Sequence, residues 1–192
     1  PADPADVAAV NALQDQLGLT ASSAVPHVMP DYDPTSFTAT REALLTLSAG
    51  TDGFASSFGS RAEVDPVRHL LGAAAGWGGL PEREAFYGNV NLGLPVSDYS
   101  LTVRDVPVDA FWSISLYDAD GYVADTGAAV GVNSLTAVPN EDGSVTVHFG
   151  SGDRPNTLGI MDGWNYLVRL YRPRPEVLDG SWTFPLPTPD PA

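Results

Sequence analysis

Cysteine and lysine are both absent from this sequence of 192 residues, and each absence removes a class of chemistry. Without cysteine the chain has no thiol nucleophile, no disulfide, and no cysteine ligand for zinc or an iron–sulfur cluster. Without lysine it has no Schiff-base amine, no phosphate-loop lysine and no serine–lysine dyad. The nine basic side chains are therefore all arginines.

Positive charge and long apolar runs are also scarce. Aspartate and glutamate total 24 against the nine arginines, so the formal net charge is −15. Such a surface repels phosphate backbones and anionic lipid headgroups. The longest apolar candidate, LLGAAAGWGGL, is shorter than the roughly 18 residues that a membrane span requires. We therefore expect no nucleic-acid partner and no membrane span.

The length and composition fit a single globular domain over residues 1–192. Hydrophobic residues make up 43% of the chain and charged residues 17%, which is typical of a protein that buries a core. Neither an internal repeat nor a clear linker divides the sequence. It opens on proline, and no charged-then-apolar leader follows, so we expect a mature start from which an export signal has been removed.

Residues 1–64 are predicted to be mainly helical, and a further helix starts at Asp65-Pro66. SFTATREALLTLSAG shows helical spacing, and EREAFY is predicted to form a last short turn of helix. The first helix is predicted to bury one face, made by Val7, Val10, Leu13 and Leu17. The helix after Asp65 is predicted to bury Val67, Leu70, Leu71 and Ala74.

From residue 97 the hydrophobic pattern takes a period of two, which is typical of strands. Four segments follow it: SDYSLTV, DAFWSISLYD, SVTVHFG and WNYLVRLYRP. Antiparallel strands joined by turn-forming residues predict an α+β fold, with a jelly-roll-like β-sandwich in the C-terminal half and three or four N-terminal helices packed on it. Residues 65–187 hold a helix and the sandwich, and 188–192 form an extended tail.

Asp118 and Asp120 lie in YDADGY, directly after one of these strands. An aspartate that opens a turn accepts hydrogen bonds from backbone amides further along, and Gly121 supplies the positive φ needed to leave it. A calcium loop would require further oxygen ligands at fixed spacing, and the full D-x-D-x-D-G pattern with a distal glutamate is missing. We interpret the pair as a turn and predict no metal.

The sequence contains few signs of catalysis. Its three histidines, His27, His69 and His148, share no local spacing with one another or with a carboxylate that is typical of a metal or catalytic site. A G-x-S-x-G elbow and the βαβ alternation of an α/β-hydrolase are both absent. We therefore assign no catalytic residue and no cofactor, and an enzyme is disfavoured.

Aromatic residues near glycines, prolines and strand ends allow two interpretations. They fill space between the helices and the sheets, or they form an aromatic-lined end that holds a sugar ring or an apolar ligand. Arg169 alternates with apolar residues in a strand, so we expect it to be partly buried and paired with Asp118 or Asp179. The candidate ligand-binding residues are Trp77, Tyr87, Trp112, Tyr117, Asp118, His148 and Arg169.

Four stretches occur in an order that resembles a known family: GWGGLPEREAFY, VDAFWSISLYDADGYV, NEDGSVTVHFG and YLVRLYRPRPEVLDGSWTFP. Over roughly residues 70–187 the chain is similar to the domain-of-unknown-function family 1214, which often accompanies the 1254 family in bacterial proteins. The resemblance implies a jelly-roll-type sandwich and export, hence an extracytoplasmic location, but no agreed activity. The chain departs from the family pattern between residues 124 and 137 and again after residue 153.

These observations favour an exported, non-enzymatic β-sandwich protein that binds another protein or copies of itself. The alternative is an enzyme or a small-ligand binding protein that uses an aromatic-lined end of the sandwich. A roughly 300 Å³ cleft with convergent polar groups would favour the alternative. A calcium-stiffened surface domain is a third possibility.

Overall fold

The computed structural model describes residues 4–51, 53–76, 78–123 and 127–190. It has an α+β fold, as predicted, and comprises two compact units, residues 1–37 and residues 38–192. The helices are a 3₁₀ helix (Pro4–Asp6), α1 (Val7–Gln14), α2 (Pro34–Ser48), α3 (Pro66–Ala75) and α4 (Pro175–Leu178). The strands are β1 (Ala85–Val90), β2 (Tyr99–Val103), β3 (Trp112–Tyr117), β4 (Gly131–Asn133), β5 (Val145–Phe149), β6 (Thr157–Leu158), β7 (Asn165–Tyr171) and β8 (Thr188–Pro189). Within the described residues, none of the helices is long and apolar enough to cross a bilayer.

The helices bury less than the sequence predicts. Neither α1 nor α2 buries a residue, and Leu13 on the predicted inner face of α1 is 64% exposed. In α3 the prediction is right for Leu71 and wrong for Val67 and Leu70, which are more than half exposed. In each of these helices, alanine and polar residues interrupt the apolar stripe. The stripe therefore presents too little apolar area to bury a whole face of the helix.

Helix α3 begins where the sequence predicts, at the capping residue Asp65 and the following proline. The Asp65 carboxylate accepts hydrogen bonds from the amides of Val67 and Arg68, both at 2.9 Å, and Pro66 occupies the first turn. The same helix packs closely at Gly72, where an added Cβ would lie 2.7 Å from Cβ of Ser57. Glycine is required at this contact because any side chain would displace the 57–58 segment.

EREAFY does not form the predicted helical turn. Residues 85–90 form β1 instead, which pairs antiparallel with β7 from Ala85 opposite Tyr171 to Val90 opposite Tyr166. This pairing joins segments far apart in the sequence, and such tertiary contacts override a weak local helical pattern. The sheet therefore begins earlier in the chain than the change of period indicates.

The strands form two four-stranded sheets. The first sheet has the order β1-β7-β3-β4 and is antiparallel throughout. The second has the order β6-β5-β2-β8, in which only β5 and β6 are parallel. The four segments that show the period of two became β2, β3, β5 and β7, which are the central strands of the two sheets.

One hydrophobic cluster joins the two sheets. Trp112, Ile114 and Leu116 alternate inward from β3, and Val147 and Phe149 face the same cluster from β5. The residues between them on each strand are only partly buried. This alternation is the reason the sequence shows a period of two, because each strand has one face in the core and one face outside it.

The C-terminal segment is held by the second sheet. Strand β8 pairs with β2 through Ser100 opposite Thr188, and the amide of Asp190 donates to the carbonyl of Asp98 at 3.0 Å. Of the predicted tail, residues 188 and 189 thus form an edge strand, Asp190 is tied to Asp98, and residues 191 and 192 lie outside the described part of the chain. The segment packs on its own unit.

Candidate functional site

Asp118 forms the turn that the sequence predicts. Its Oδ1 accepts hydrogen bonds from the amides of Asp120 at 3.0 Å and Tyr122 at 2.9 Å, and Gly121 has φ +85°. The carboxylate therefore stabilises the backbone reversal after β3. The turn interpretation is confirmed by these contacts. Among the described residues, moreover, no group of three histidine or acidic side chains is placed to hold a metal ion.

Three of the candidate residues meet on the outer face of the first sheet. Tyr87 of β1 lies directly opposite Arg169 of β7, so the two side chains share a face. The guanidinium of Arg169 donates to the hydroxyl of Tyr117 at 2.9 Å and to Oγ of Ser115 at 2.8 Å. Ser115 was not a candidate, although the alternation of β3 places it on the same face as Tyr117. We call Tyr87, Ser115, Tyr117 and Arg169 the arginine face.

The prediction that Arg169 pairs with a carboxylate is wrong. Its hydrogen bonds go to the two hydroxyls, whereas Asp118 serves the turn and Asp179 accepts from the amide of Ser181 at 2.9 Å. Five other arginines do pair with a carboxylate, and no such pair includes Arg169 within the described chain; the five are Arg41, Arg83, Arg104, Arg154 and Arg174.

The remaining candidates lie elsewhere. Trp112 belongs to the core, where it is 4% exposed and packs edge-on against Phe184 with ring centroids 5.8 Å apart. Its ring lies on the opposite side of β3 from Tyr117, so Trp112 is not part of the arginine face. His148 lies on the second sheet. Trp77 lies outside the described residues.

His148 faces the C-terminal segment rather than the arginine face. Its Nδ1 lies 3.9 Å from Oδ2 of Asp190, which accepts a hydrogen bond from Arg154 at 2.7 Å. Burial, with help from the Arg154 cation, lowers the pKa of His148. Hydrogen bonds from Ser100 and Arg154 lower the pKa of Asp190. This cluster anchors the last described residues to the second sheet.

A cleft of about 190 Å³ opens beside the arginine face. Tyr87 lines it, and the Tyr87 hydroxyl accepts a hydrogen bond from the amide of Leu80 at 3.0 Å. Phe54 and Leu178 contribute further apolar wall, and the Phe54 ring meets Tyr87 edge-on at 6.2 Å. The volume is below the roughly 300 Å³ at which pockets for drug-sized ligands begin.

A second crevice, too narrow to hold a water molecule, is lined by Val90, Leu92, Leu94, Trp164 and Tyr166. The last two belong to an aromatic cluster in the core, in which Phe149 contacts the rings of both, at 5.3 and 5.2 Å. Trp164 and Tyr166 belong to the aromatic residues near glycines and strand ends for which the sequence allows either a core role or a ligand-holding role, although neither is one of the seven named candidates.

Comparison with protein families gives one match. Residues 94–175 match the family model DUF1214. The family is described as "Protein of unknown function (DUF1214)". The match confirms the resemblance over a shorter range than the predicted 70–187, and it covers less than half of the chain. The DUF1214 segment holds β2 to β7, so Tyr117 and Arg169 lie within it and Tyr87 precedes it.

A solved structure shares the fold of this chain, whereas a search of curated proteins gives no match. The VPA0106 protein from Vibrio parahaemolyticus is 20% identical with a TM-score of 0.60, over 83% of this chain. The chain spans 46% of that protein's length. An uncharacterised protein from Burkholderia cenocepacia is 23% identical with a TM-score of 0.41, over 46% of this chain and 26% of its own length.

Proposed function

We propose that this chain is a non-enzymatic binding domain, and that its arginine face binds a carboxylate presented by another protein. The proposal includes a jelly-roll-like β-sandwich built from the two sheets and an extracytoplasmic location. Cell fractionation of the source organism, with detection by antibody, tests the location. Recovery in the cytoplasm alone would exclude it.

The proposal depends above all on the contacts of Arg169. A chain with 24 acidic residues offers many carboxylates, and five arginines each have one within ion-pair distance. Arg169 instead contacts two neutral hydroxyls and is half-buried. A guanidinium held in this way keeps its charge and has further N–H donors, in a fork that matches a carboxylate.

The surroundings of Arg169 favour a protein partner over a small molecule. Tyr117 contacts the guanidinium and Tyr87 lies opposite Arg169 on the neighbouring strand, and tyrosine and arginine are enriched among the residues that dominate binding energy at protein interfaces. Leu178, which is 43% exposed, borders the adjoining cleft and extends the apolar area. The cleft itself is smaller than a typical pocket for a drug-sized ligand.

A second copy of the chain is the less favoured partner. Each copy carries a net charge of −15, so two copies repel each other strongly unless salt screens them. Light scattering coupled to size-exclusion chromatography, at low and high salt, tests this alternative. A dimer that the Arg169→Gln substitution dissociates would assign the arginine face to self-assembly.

Selection from a displayed library of random peptides tests carboxylate recognition without knowledge of the natural partner. We expect the selected peptides to be enriched in aspartate and glutamate. Arg169→Gln is expected to weaken their binding about thirtyfold or more, because truncating one side of a buried charge pair costs about 2 kcal/mol or more. The Arg169→Lys variant keeps the charge but loses the fork, so its affinity should fall between the two.

Arg104→Gln is the matched control. Arg104 pairs with Asp142 beside the second sheet, at an exposed position away from the arginine face. Its substitution removes the same charge and should leave peptide affinity nearly unchanged. Equal losses in both variants would show that the arginines act only through the overall field, and selection of peptides without acidic residues would exclude the proposal.

A further inference from the structure

Two polar groups in the core lack hydrogen-bond partners. Tyr166 is 2% exposed and Trp164 is 4% exposed, yet the Tyr166 hydroxyl and the Trp164 Nε1 have no partner within the described structure. Buried polar side chains are nearly always hydrogen-bonded, because leaving one unpaired costs about 1–3 kcal/mol. Two such groups on neighbouring positions of one aromatic cluster therefore require an explanation.

Both residues line the narrow crevice whose other walls are Val90, Leu92 and Leu94. In the present conformation the crevice leaves no space for a water molecule. Water inside a closed crevice therefore does not satisfy the two groups here. A molecule that satisfies them has to widen the crevice as it enters.

The chain segment that covers the crevice is suited to move. Residues 91–98, between β1 and β2, contain neither helix nor strand. Leu92 is 44% exposed, while Leu94 packs against the core cluster. The hydroxyl of Tyr99 donates to the carbonyl of Pro95 at 3.1 Å and ties the segment down near its end. Displacing Leu92 and Leu94 outward would open the crevice without breaking a strand pair.

We propose that this crevice is a binding site for a neutral, largely apolar small molecule that carries an oxygen acceptor. Indole N–H is a donor only, and a phenol hydroxyl both donates and accepts, so a ketone, ether or alcohol oxygen can accept a hydrogen bond from either group. The three aliphatic walls fit a hydrocarbon body. No charged side chain lines the crevice within the described residues, so an ion would lose its hydration without compensation.

The site is independent of the arginine face. Tyr166 and Arg169 are an odd number of positions apart on β7, so their side chains lie on opposite faces of the first sheet. A substitution at one can therefore be tested without removing the other. Failure of carboxylate recognition would leave this proposal standing, and the reverse is also true.

Cyclohexanone is a suitable probe, and the indole N–H resonance of Trp164 is a suitable reporter. Comparing wild type with Trp164→Phe in an ¹H–¹⁵N correlation spectrum assigns that resonance. We expect cyclohexanone to shift it saturably, with a Kd in the millimolar range because the probe is small. Cyclohexylammonium, a charged molecule of the same shape, should give no saturable shift. The resonances of the other tryptophans should move little.

Tyr166→Phe separates the hydrogen bond from simple partition into an apolar space. It keeps the ring and removes the hydroxyl, so cyclohexanone affinity should fall about fivefold, the value of one hydrogen bond. Unchanged affinity in this variant would overturn the role of the hydroxyl. A linear, unsaturable drift of all indole resonances in wild type would overturn the site itself, and this outcome needs no variant to fold.

Discussion

The substitution Tyr166→Phe tests the premise of the crevice proposal in the protein without a ligand. The hydroxyl of Tyr166 is buried without a partner, so its removal deletes a desolvation cost and breaks no hydrogen bond. The cost of an unpaired buried hydroxyl is about 1–3 kcal/mol, and we expect a gain in unfolding free energy of about 1–2 kcal/mol. For a protein of this length, that gain corresponds to a rise in Tm of about 2–8 °C.

Tyr99→Phe is the control, because it makes the same chemical change with the opposite prediction. Tyr99 is as deeply buried as Tyr166, but its hydroxyl donates to the carbonyl of Pro95 at 3.1 Å. Losing that bond should cost about 1 kcal/mol. Differential scanning calorimetry and urea unfolding measure both variants. If Tyr166→Phe destabilises the protein as much as Tyr99→Phe, the Tyr166 hydroxyl has a partner in solution and the reasoning is refuted.

Alkaline titration checks the same burial by another route. Burial raises the pKa of Tyr166 far above its usual range, so the phenol ionises more readily in the unfolded chain. Stability should therefore be fully present below pH of about 10, the unfolded value, and be lost as pH rises above it. Tyr166→Phe should remove this part of the alkaline destabilisation. An identical alkaline slope in wild type and variant would contradict the assigned burial.

Two further predictions concern pH and a tight turn. Burial and the Arg154 cation lower the pKa of His148, so the free energy of unfolding should fall as pH drops from about 6.5, the unfolded value, through the lower pKa of the folded protein. In His148→Gln, the free energy measured by urea unfolding should depend less on pH in this range. An unchanged pH dependence in the variant would contradict the assignment. Gly150→Ala should cost about 2–4 kcal/mol in thermal unfolding, since φ is +145° and the new Cβ would meet the Asp98 carboxylate. Gly152→Ala, with φ +106° and open space, should cost less; equal losses would mean that the contact is immaterial.

The sequence predicts those strands that bury one face in the core and expose the other, because this arrangement produces an alternating hydrophobic pattern. β3 and β7 alternate between core and outer face along their whole length, and a period of two follows directly. β6 and β8 have two residues each, too few for any period, and they exist because β5 and β2 pair with them. β1 was predicted as a helical turn because its pairing with β7 is invisible locally.

The sequence predicts where the individual residues of the arginine face lie on their strands, but it does not predict that they come together. Alternation places Ser115 and Tyr117 on one side of β3, and it indicates that Arg169 is partly buried in β7. Their side chains meet because of the register between β3 and β7, in which Ser115 lies opposite Leu167, and the bonded residues are more than 50 positions apart in the sequence. The predicted partial burial of Arg169 led to an expected carboxylate partner, because a buried cation needs compensation, whereas the strand register places two hydroxyls beside it.

Strand β7 links the two proposed sites through its alternation. Its outward residues place Arg169 among hydroxyls, and its inward residues place Tyr166 among aromatic rings. The outer site keeps a charge because solvent and hydroxyls compensate it, while the inner site holds only neutral donors because the core excludes ions. One strand can therefore present a cation to a partner and a neutral hydroxyl to a small molecule, and a one-residue shift of its register would exchange the two faces and abolish both sites.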